Sequence, residues 1–484
     1  MVSPARRIAF EVLRRVEAEG AYAGELLYAL LGSRAQDARR GDAARAQSLK
    51  REDAALATEL TLGVLRWQRL LDAILQRRLE TRVDRLDLEV RLALRLGLYQ
   101  LLYLSRVPAR AAVNESVELV KGAKKHSAAG LVNAVLRRVC VEGIQLAGAD
   151  GSPKAISEQS TPVDVIVPEV ALLAERLGIL QSHPTWLVER WLSRLGESRT
   201  RKLLEANNAA QRVTCICRDP AMHEQAAESL RHAGLVVEPP NYLRAAWNVR
   251  GGTPAETEAF RRGWISIQDE ASHMTALLLE VQAGQSVLDL CAAPGGKTTA
   301  LARAAGAEAL VVAGDRHLHR LSAMKAQRDR VGVRHAHLVN LDATQPLPLA
   351  RRFDRILVDV PCSGTGTLSR NPEIRWRLRA EDLVDLHRRQ AAMLANALQV
   401  LAPGGRLVYS TCSLEAEENE QVVAEVLACN ADVRLVSNAE ALGRHLVAGV
   451  SAASFFDAEG FFRTLPGEHR TDGFFAAVLE RGGP

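Results

Sequence analysis

The chain has 484 residues, of which 47% are hydrophobic and 25% are charged. This length exceeds that of an ordinary single domain, so we expect two or more folded units. The composition excludes an intrinsically disordered chain, because it supplies enough apolar residues for buried cores. The formal net charge of +5 permits a polyanionic partner without requiring one.

Seven cysteines are spread along the chain, and none of them belongs to a Cys-x-x-Cys pair. We therefore expect reduced thiols rather than a disulfide framework or a metal site. The first twenty residues contain glutamates and no long apolar run, which is not the pattern of a signal peptide. No stretch approaches the ~20 apolar residues of a membrane span. The sequence thus predicts a cytoplasmic protein without membrane contact.

Four regions differ in pattern along the chain. Residues 1–142 carry apolar residues at intervals of three and four, which predicts an all-α domain. Residues 143–182 begin with a cluster of glycine, serine, proline and threonine and predict a linker. Residues 183–267 mix helical stretches with short strand patterns and predict a small α+β domain. Residues 268–484 alternate strands with helices, which favours a mainly parallel sheet covered by helices on both faces.

A glycine-rich turn follows the first predicted strand of the last region. The run from Asp289 to Thr298 leads from a buried strand through Gly295 and Gly296 into a helix. Glycines in such a turn let backbone N–H groups approach a ligand closely. A Walker phosphate loop requires glycine where this chain has Cys291, and the turn is not Gly-x-Gly-x-x-Gly either. The turn therefore predicts ligand binding without matching a common nucleotide motif.

Acidic residues end the next three predicted strands. Asp315 follows the second strand, Asp342 the third, and Asp359 lies at the end of the fourth. Ligands in open α/β sheets bind at the carboxyl ends of strands, where Asp315 would accept from ribose hydroxyls and Asp342 from an adenine amino group. A single aspartate in such a position is more often a helix cap or loop acid. Three of them beside the glycine turn favour a nucleoside-binding site.

Two cysteines follow the fourth and fifth strands at the same edge of the sheet. Cys362 lies in the run Pro361–Gly366, and Cys412 lies in the run Tyr409–Ser413. A lone cysteine in such a fold is usually a small buried hydrophobe. A thiolate at a ligand-binding edge can instead attack an electrophilic ring carbon. The residues alone leave open which of the two thiols attacks.

These runs, together with Gln268–Ser272, Arg370–Trp376 and Asp472–Phe475, resemble the motifs of the bacterial RNA 5-methylcytosine methyltransferases. The helical N-terminus is similar to the NusB-type RNA-binding domain. The combination resembles the 16S ribosomal RNA cytosine-C5 methyltransferases, also called the Sun or Fmu family, over nearly the whole chain except residues 143–168. At His317 the chain departs from many relatives, which carry a second acid there.

The resemblance implies three parts: an all-α NusB-like domain, a small α+β domain, and a Rossmann-like class I methyltransferase domain that uses S-adenosylmethionine. It implies methyl transfer to carbon 5 of a cytosine in 16S ribosomal RNA, through a covalent bond from Cys412 to carbon 6. Cys362 would then assist release of the RNA. Asp359 would hold the N3 and amino edge of the cytosine and border the methyl donor.

By the same resemblance, the donor-binding residues are those of the glycine turn and the strand-end acids: Cys291, Ala292, Ala293, Pro294, Gly295, Gly296, Lys297, Asp315, Asp342 and Asp359. Lys297 is also compatible with an ordinary surface helix cation. Three alternatives stay open: the same chemistry on another ribosomal site or transfer RNA, a non-catalytic RNA-binding factor, and an NTP-binding protein, which the glycine turn disfavours. We expect a monomer whose partner is 16S rRNA or a small-subunit assembly intermediate.

Overall fold

A computed structural model describes residues 2–39, 50–142, 172–210 and 212–483. Its helices are α1 (Pro4–Glu19), α2 (Ala23–Arg39), α3 (Arg51–Gln76), α4 (Leu88–Tyr103), α5 (Ala109–Gly122), α6 (Ala129–Glu142), α7 (Leu173–Leu180), α8 (Thr185–Asn208), α9 (His223–His232), α10 (Glu258–Arg261), α11 (Glu270–Leu277), α12 (Gly296–Ala305), α13 (Leu318–Arg330), α14 (Ile374–Arg377), α15 (Asp382–Gln399), α16 (Glu420–Ala428) and α17 (Ala439–Gly443). Its strands are β1 (Val213–Cys217), β2 (Val236–Glu238), β3 (Ala246–Arg250), β4 (Ile265–Ile267), β5 (Val287–Asp289), β6 (Val311–Asp315), β7 (Ala336–Asn340), β8 (Phe353–Asp359), β9 (Leu401–Thr411), β10 (Val433–Val436), β11 (Phe462–Thr464) and β12 (Phe474–Arg481).

The described chain divides into two compact units. The first, the helical unit, comprises Met1–Ala209 and Leu368–Leu378, and the second, the sheet unit, comprises Ala210–Thr367 and Arg379–Pro484. In the helical unit, α4 packs against α1, α3, α5 and α6. Because α4 is apolar on nearly all sides, it lies inside this bundle, whereas α1 and α3 bury one apolar face each. The prediction of an all-α N-terminal region is confirmed.

The expected linker at 143–182 differs from the structure in the part that is described. Residues 143–171 lie outside the described residues, but α7 and α8 follow them, and α8 is interrupted at Gly196, whose φ is 75°. Both helices belong to the helical unit, whose first segment ends at Ala209. Hydrophobic periodicity predicts that a segment is helical. Which of the two compact units the helix belongs to depends on the core against which it packs.

The segment Leu368–Leu378 lies within region 268–484 and belongs to the helical unit. Arg375 of this segment is 1% exposed and donates to the carbonyl of Ser182 and to Oδ1 of Asn208, each at 2.9 Å. These contacts satisfy backbone and amide oxygens that burial removes from water.

The sheet unit contains two sheets. The smaller one is antiparallel with strand order β2-β3-β1-β4. The larger one has the order β10-β12-β9-β8-β5-β6-β7, with β11 paired to β12. Strands β5 to β9 pair in parallel, and β12 runs antiparallel to β9. This confirms the predicted Rossmann-like α/β class, although β10 and β11 were not foreseen because each is short.

Parallel pairing brings the strand ends together at one edge of the larger sheet. Asp289 at the end of β5 lies opposite Ala313 of β6 and Leu357 of β8. Asp359 at the end of β8 lies opposite Ser410 of β9. Buried apolar side chains cover both faces of this sheet, so polar side chains are accommodated at its edge.

Among the described helices, none is both long and apolar enough to cross a membrane.

Candidate active site

The turn after β5 is held against the neighbouring strand by its own backbone. The N–H of Ala292 donates to the carbonyl of Gly314 on β6 at 2.9 Å, and the N–H of Gly295 donates to the carbonyl of Ala292 at 2.8 Å. Gly295 has a φ of 100°, a conformation that L side chains rarely adopt. The chain then enters α12 at Gly296. The first turn of a helix presents backbone N–H groups that suit an anionic group.

Asp289 lies beneath this turn and is almost fully buried. Burial raises the pKa of Asp289 to about 7. Two smaller effects act in the opposite direction and lower this pKa: the hydrogen bond from Thr298 Oγ1 at 2.6 Å and the positive charge of Lys297. The charge of Asp359 adds to the rise. The Oδ1 atom of Asp289 is a buried acceptor with no hydrogen-bond partner among the described residues. Sequence reasoning passed over this residue, although it ends a strand like the three predicted acids.

Asp315 joins the turn to the end of β6. Its Oδ1 accepts from the N–H of His317 at 2.9 Å, and its Oδ2 accepts from the N–H of Ala293 at 3.3 Å. Arg320 Nη1 lies 3.6 Å from the same Oδ2. The side chain is buried. The prediction had placed Asp315 and the turn at one edge of the sheet, and the structure brings them into direct contact.

Asp342, after β7, makes mainly local contacts. Its Oδ1 accepts from the N–H and hydroxyl of Thr344 at 3.0 and 2.7 Å. These hydrogen bonds lower the pKa of Asp342 below its ordinary value. Its Oδ2 lies 3.5 Å from Nε of Arg316, the residue after Asp315. Asp342 therefore both caps its own turn, as a loop acid would, and lies beside the end of β6.

Asp359 is the centre of a polar network between three elements. Its Oδ2 accepts from Lys297 Nζ of α12 at 2.7 Å, and its Oδ1 accepts from Ser410 Oγ of β9 at 2.7 Å. The ammonium of Lys297 also lies 5.3 Å from the ring centroid of Phe474. Lys297 is thus an enclosed partner of Asp359 rather than a surface helix cation. The sequence pattern predicts neither the ion pair between Lys297 and Asp359 nor the hydrogen bond from Ser410 to Asp359.

The two cysteines after β8 and β9 meet in the structure. Cys362 Sγ and Cys412 Sγ lie 3.3 Å apart, and both residues are free and half-buried. The hydrogen bond with Cys412, followed by burial, raises the pKa of Cys362 well above its ordinary value. By contrast, burial dominates at Cys291, whose pKa is also raised well above the ordinary value. Cys291 is therefore a packing residue of the turn and a poor nucleophile.

The donor set of this edge fits a nucleoside that carries an amino-acid end. Asp315 and Asp342 supply carboxylate acceptors for hydroxyl and amino groups, and the first turn of α12 supplies N–H donors for a carboxylate. The partnerless Oδ1 of Asp289 is a further acceptor for a cationic or N–H group. An adenosine-methionine conjugate contains each of these complements.

Comparison with known proteins agrees with this site. The family 16S rRNA methyltransferase RsmB/F matches residues 276–480, and the NusB family matches residues 3–140. A probable ribosomal RNA small subunit methyltransferase B from Bacillus subtilis is 30% identical over 99% of this chain and 99% of its own length. The protein of the same name from Synechocystis is 33% identical over 88% of this chain and 90% of its own length. The chain belongs to the RsmB/F family of 16S rRNA methyltransferases.

The crystal structure of PH0851 shares the fold, with a TM-score of 0.75 and 23% identity over 99% of this chain and 100% of that chain. As an RsmB/F family member, the protein is an enzyme whose methyl donor is S-adenosylmethionine and whose substrate is RNA. The predicted family, donor and enzyme class are confirmed. The adenosine-methionine complement found at the sheet edge matches this donor.

Proposed function

We propose that this RsmB/F methyltransferase modifies carbon 5 of a cytosine in 16S rRNA, with Cys412 forming a covalent bond to carbon 6. The observation that carries the proposal is the 3.3 Å separation of Cys362 Sγ and Cys412 Sγ. These sulfurs follow the two strands whose ends hold Asp359 and Ser410. The names of the relatives, small subunit methyltransferases, support the choice of RNA.

Carbon 5 of cytosine is a weak nucleophile, which is why the reaction needs a thiolate. When bound, S-adenosylmethionine supplies an electrophilic methyl group on a sulfonium. The Cys412 thiolate adds to carbon 6, and the electron pair of the 5,6 double bond moves to carbon 5. Carbon 5 would then take the methyl carbon as the methyl–sulfur bond breaks, which leaves S-adenosylhomocysteine. Loss of the carbon 5 proton and cleavage of the S–C6 bond then restore the aromatic ring and the Cys412 thiolate.

The thiol pair divides these steps between its members. Because the pKa of Cys362 is raised well above its ordinary value, Cys362 is disfavoured as the attacking thiolate, and we assign the attack to Cys412. We assign Cys362 to the release step: after it loses its own proton to solvent, its thiolate accepts the carbon 5 proton while the S–C6 bond breaks and the Cys412 sulfur leaves the ring. The close contact of the sulfurs supports this assignment, because Cys362 would lie beside the S–C6 bond that must break.

Asp359 is assigned to the cytosine itself. Its carboxylate would accept from the exocyclic amino group and face N3, and its pairing with Lys297 places an ammonium proton beside it as N3 gains charge. Ser410 fixes the other carboxylate oxygen. Asp359 and Lys297 also border the donor, since Lys297 opens α12 after the glycine turn.

For the donor, residues 291–297 would hold the methionine end, Asp315 the ribose and Asp342 the adenine. Asp315 already contacts the N–H of Ala293 in this turn, so the turn and the ribose acceptor are preset relative to each other. A site whose groups are held before binding loses less entropy when the ligand arrives.

RNA recognition is assigned to the NusB-like region 1–142 and the α+β region 183–267, and the chemistry to region 268–484. The target cytosine must leave any base stack to reach the thiols, so we expect a single-stranded or opened nucleotide. We place the reaction in the cytoplasm, on 16S rRNA or a small-subunit assembly intermediate, with the protein acting as a monomer.

The test is a methylation assay with labelled S-adenosylmethionine on 16S rRNA, assembly intermediates and transfer RNA, followed by bisulfite sequencing. We expect one protected cytosine in 16S rRNA and complete loss of turnover in Cys412→Ala. The matched control is Cys429→Ala, because Cys429 is an exposed free cysteine outside the thiol pair, and this variant should retain turnover. Label on a base other than cytosine, or turnover by Cys412→Ala, would disprove the proposal.

A further inference from the structure

Glu418 is a buried carboxylate in the single turn Ala416–Glu418 after β9. Its Oε1 accepts from the N–H of Ser363 at 2.8 Å and from Nε2 of Gln390 at 2.9 Å. Its Oε2 accepts from the hydroxyls of Ser363 and Ser413. Burial of a carboxylate is costly unless hydrogen bonds replace its water. Here four hydrogen bonds from neutral donors replace the water that the Glu418 carboxylate loses on burial.

Two of these donors directly follow the site cysteines. Ser363 comes after Cys362, and Ser413 comes after Cys412. The carboxylate of Glu418 therefore joins the loops after β8 and β9 at the point where their thiols meet. An acid that served only its own turn would bond to that turn, whereas Ser363 lies 55 residues away in the chain.

Gln390 of α15 ties the same network to the residue before Cys362. Its Nε2 donates to the carbonyl of Pro361 at 3.0 Å as well as to Glu418. The backbone is thus held on both sides of Cys362. In addition, the negative charge of Glu418 contributes to the raised pKa of Cys362, after the hydrogen bond with Cys412 and burial. One side chain acts on both the position and the ionisation of this thiol.

We propose that Glu418 is a positioning residue that fixes the two thiol loops relative to each other and so selects Cys412, rather than Cys362, as the nucleophile. This inference rests on the proposed function, because it assigns the choice of nucleophile in that reaction. Glu418 reaches the RNA only through the cysteines, since its four acceptor positions are filled by protein donors.

The test compares Glu418→Gln with Glu425→Gln in the full-length protein. Glu425 lies on α16, and its 61% exposed side chain contacts His387, which bonds to the carbonyl of Glu417. This variant receives the same chemical change, and the carboxylate that it loses bonds to neither Ser363 nor Ser413. The rates at which iodoacetamide modifies Cys362 and Cys412 are measured by peptide mass spectrometry. We expect Cys412 to react faster in the wild type, and Glu418→Gln to reduce that preference by about tenfold. Glu425→Gln should keep it.

A second measurement separates positioning from folding. Glu418→Gln should lower kcat about tenfold or more through misplacement of the thiols. The affinity for S-adenosylhomocysteine in calorimetry and the KM for RNA should stay within about twofold of the wild type, because neither depends on the thiols. The pH profile of kcat should also move, whereas a merely structural defect would lower donor affinity and kcat together.

Wild-type alkylation preference and wild-type kcat in Glu418→Gln would overturn the inference. If that variant does not fold, Ser363→Ala removes one hydroxyl donor and keeps the carboxylate. This variant should lower both the alkylation preference for Cys412 and kcat, and unchanged values would equally overturn the inference. The alkylation readout needs neither RNA nor donor. A wild-type enzyme that fails to methylate cytosine would therefore refute the proposed function while leaving the thiol preference measurable.

Discussion

Cys362 Sγ and Cys412 Sγ lie 3.3 Å apart on loops that follow two neighbouring parallel strands. We propose separate tasks for these two thiols. The hydrogen bond between them raises the pKa of Cys362 well above its ordinary value. If one thiol attacks the cytosine and the other assists release of the RNA, removal of the first should prevent the covalent adduct and removal of the second should make the adduct accumulate.

Replacing Cys362 with alanine should trap the reaction after methyl transfer. We expect Cys362→Ala to accumulate a covalent protein–RNA adduct, visible as a slowly migrating band on a denaturing gel, because Cys412 still attacks but release is impaired. Cys412→Ala should give no such band. A Cys362→Ala enzyme with normal turnover and no adduct would remove Cys362 from the release step.

Removing the Asp315 carboxylate should weaken donor binding. Asp315→Ala loses the acceptor assigned to the ribose and the contact with the N–H of Ala293, so S-adenosylhomocysteine should bind about ten- to a hundredfold more weakly in calorimetry. Asp329→Ala on α13 is the control, since the carboxylate of Asp329 pairs with its neighbour Arg328, and the affinity of this variant should match the wild type. Equal affinities in the two variants would place the ribose elsewhere.

Asp289 should make the sheet unit less stable as the pH rises. Its pKa is about 7 in the folded protein and near 3.8 when unfolded, so between pH 4 and 7 the folded state holds the proton more tightly. The free energy of unfolding should therefore fall across this window, by roughly 4 kcal/mol from this group alone. Above pH 7 the loss is complete.

This prediction is tested by urea unfolding of the wild type and of Asp289→Asn between pH 4 and 8 at constant ionic strength. The variant keeps an oxygen for the Thr298 hydroxyl but has no titrating group. The difference in stability between the two proteins should change with pH in the stated direction. A difference that is flat across this range would show that Asp289 has an ordinary acidity in the folded protein.

Arg375 should be essential to the helical unit. Its guanidinium donates to the carbonyl of Ser182 and to Oδ1 of Asn208, and burial lowers the pKa of Arg375 well below its ordinary value. Arg375→Ala leaves these buried acceptors without a partner, which should cost on the order of 3 kcal/mol and lower the melting temperature of this unit by roughly 5–10 °C.

The control for Arg375 lies two residues further along. Arg377 is exposed, and its guanidinium lies 4.5 Å from the ring centroid of Tyr22, so Arg377→Ala should change the melting temperature by no more than about 2 °C. Similar melting temperatures for both variants would mean that the buried hydrogen bonds of Arg375 contribute little.

The sequence by itself determined the elements and the chemical type of the site. Strand β1 (Val213–Cys217) lies in region 183–267, whose pattern predicts short strands, and helix α13 (Leu318–Arg330) lies in region 268–484, whose pattern predicts alternating strands and helices. Hydrophobic periodicity is a local property that each segment displays on its own. The strand-end positions of Asp315, Asp342 and Asp359 were likewise foreseeable, since the direction of parallel strands dictates which ends share an edge.

Only the tertiary structure decided which side chains are partners. Glu418 looks like one acid among several at a helix start, yet it bonds to Ser363 and Ser413 after the two cysteines. Arg375 belongs to the helical unit although the surrounding chain belongs to the sheet unit. Hydrogen bonds and buried charges depend on distances between residues far apart in the chain, and local periodicity carries no record of those distances.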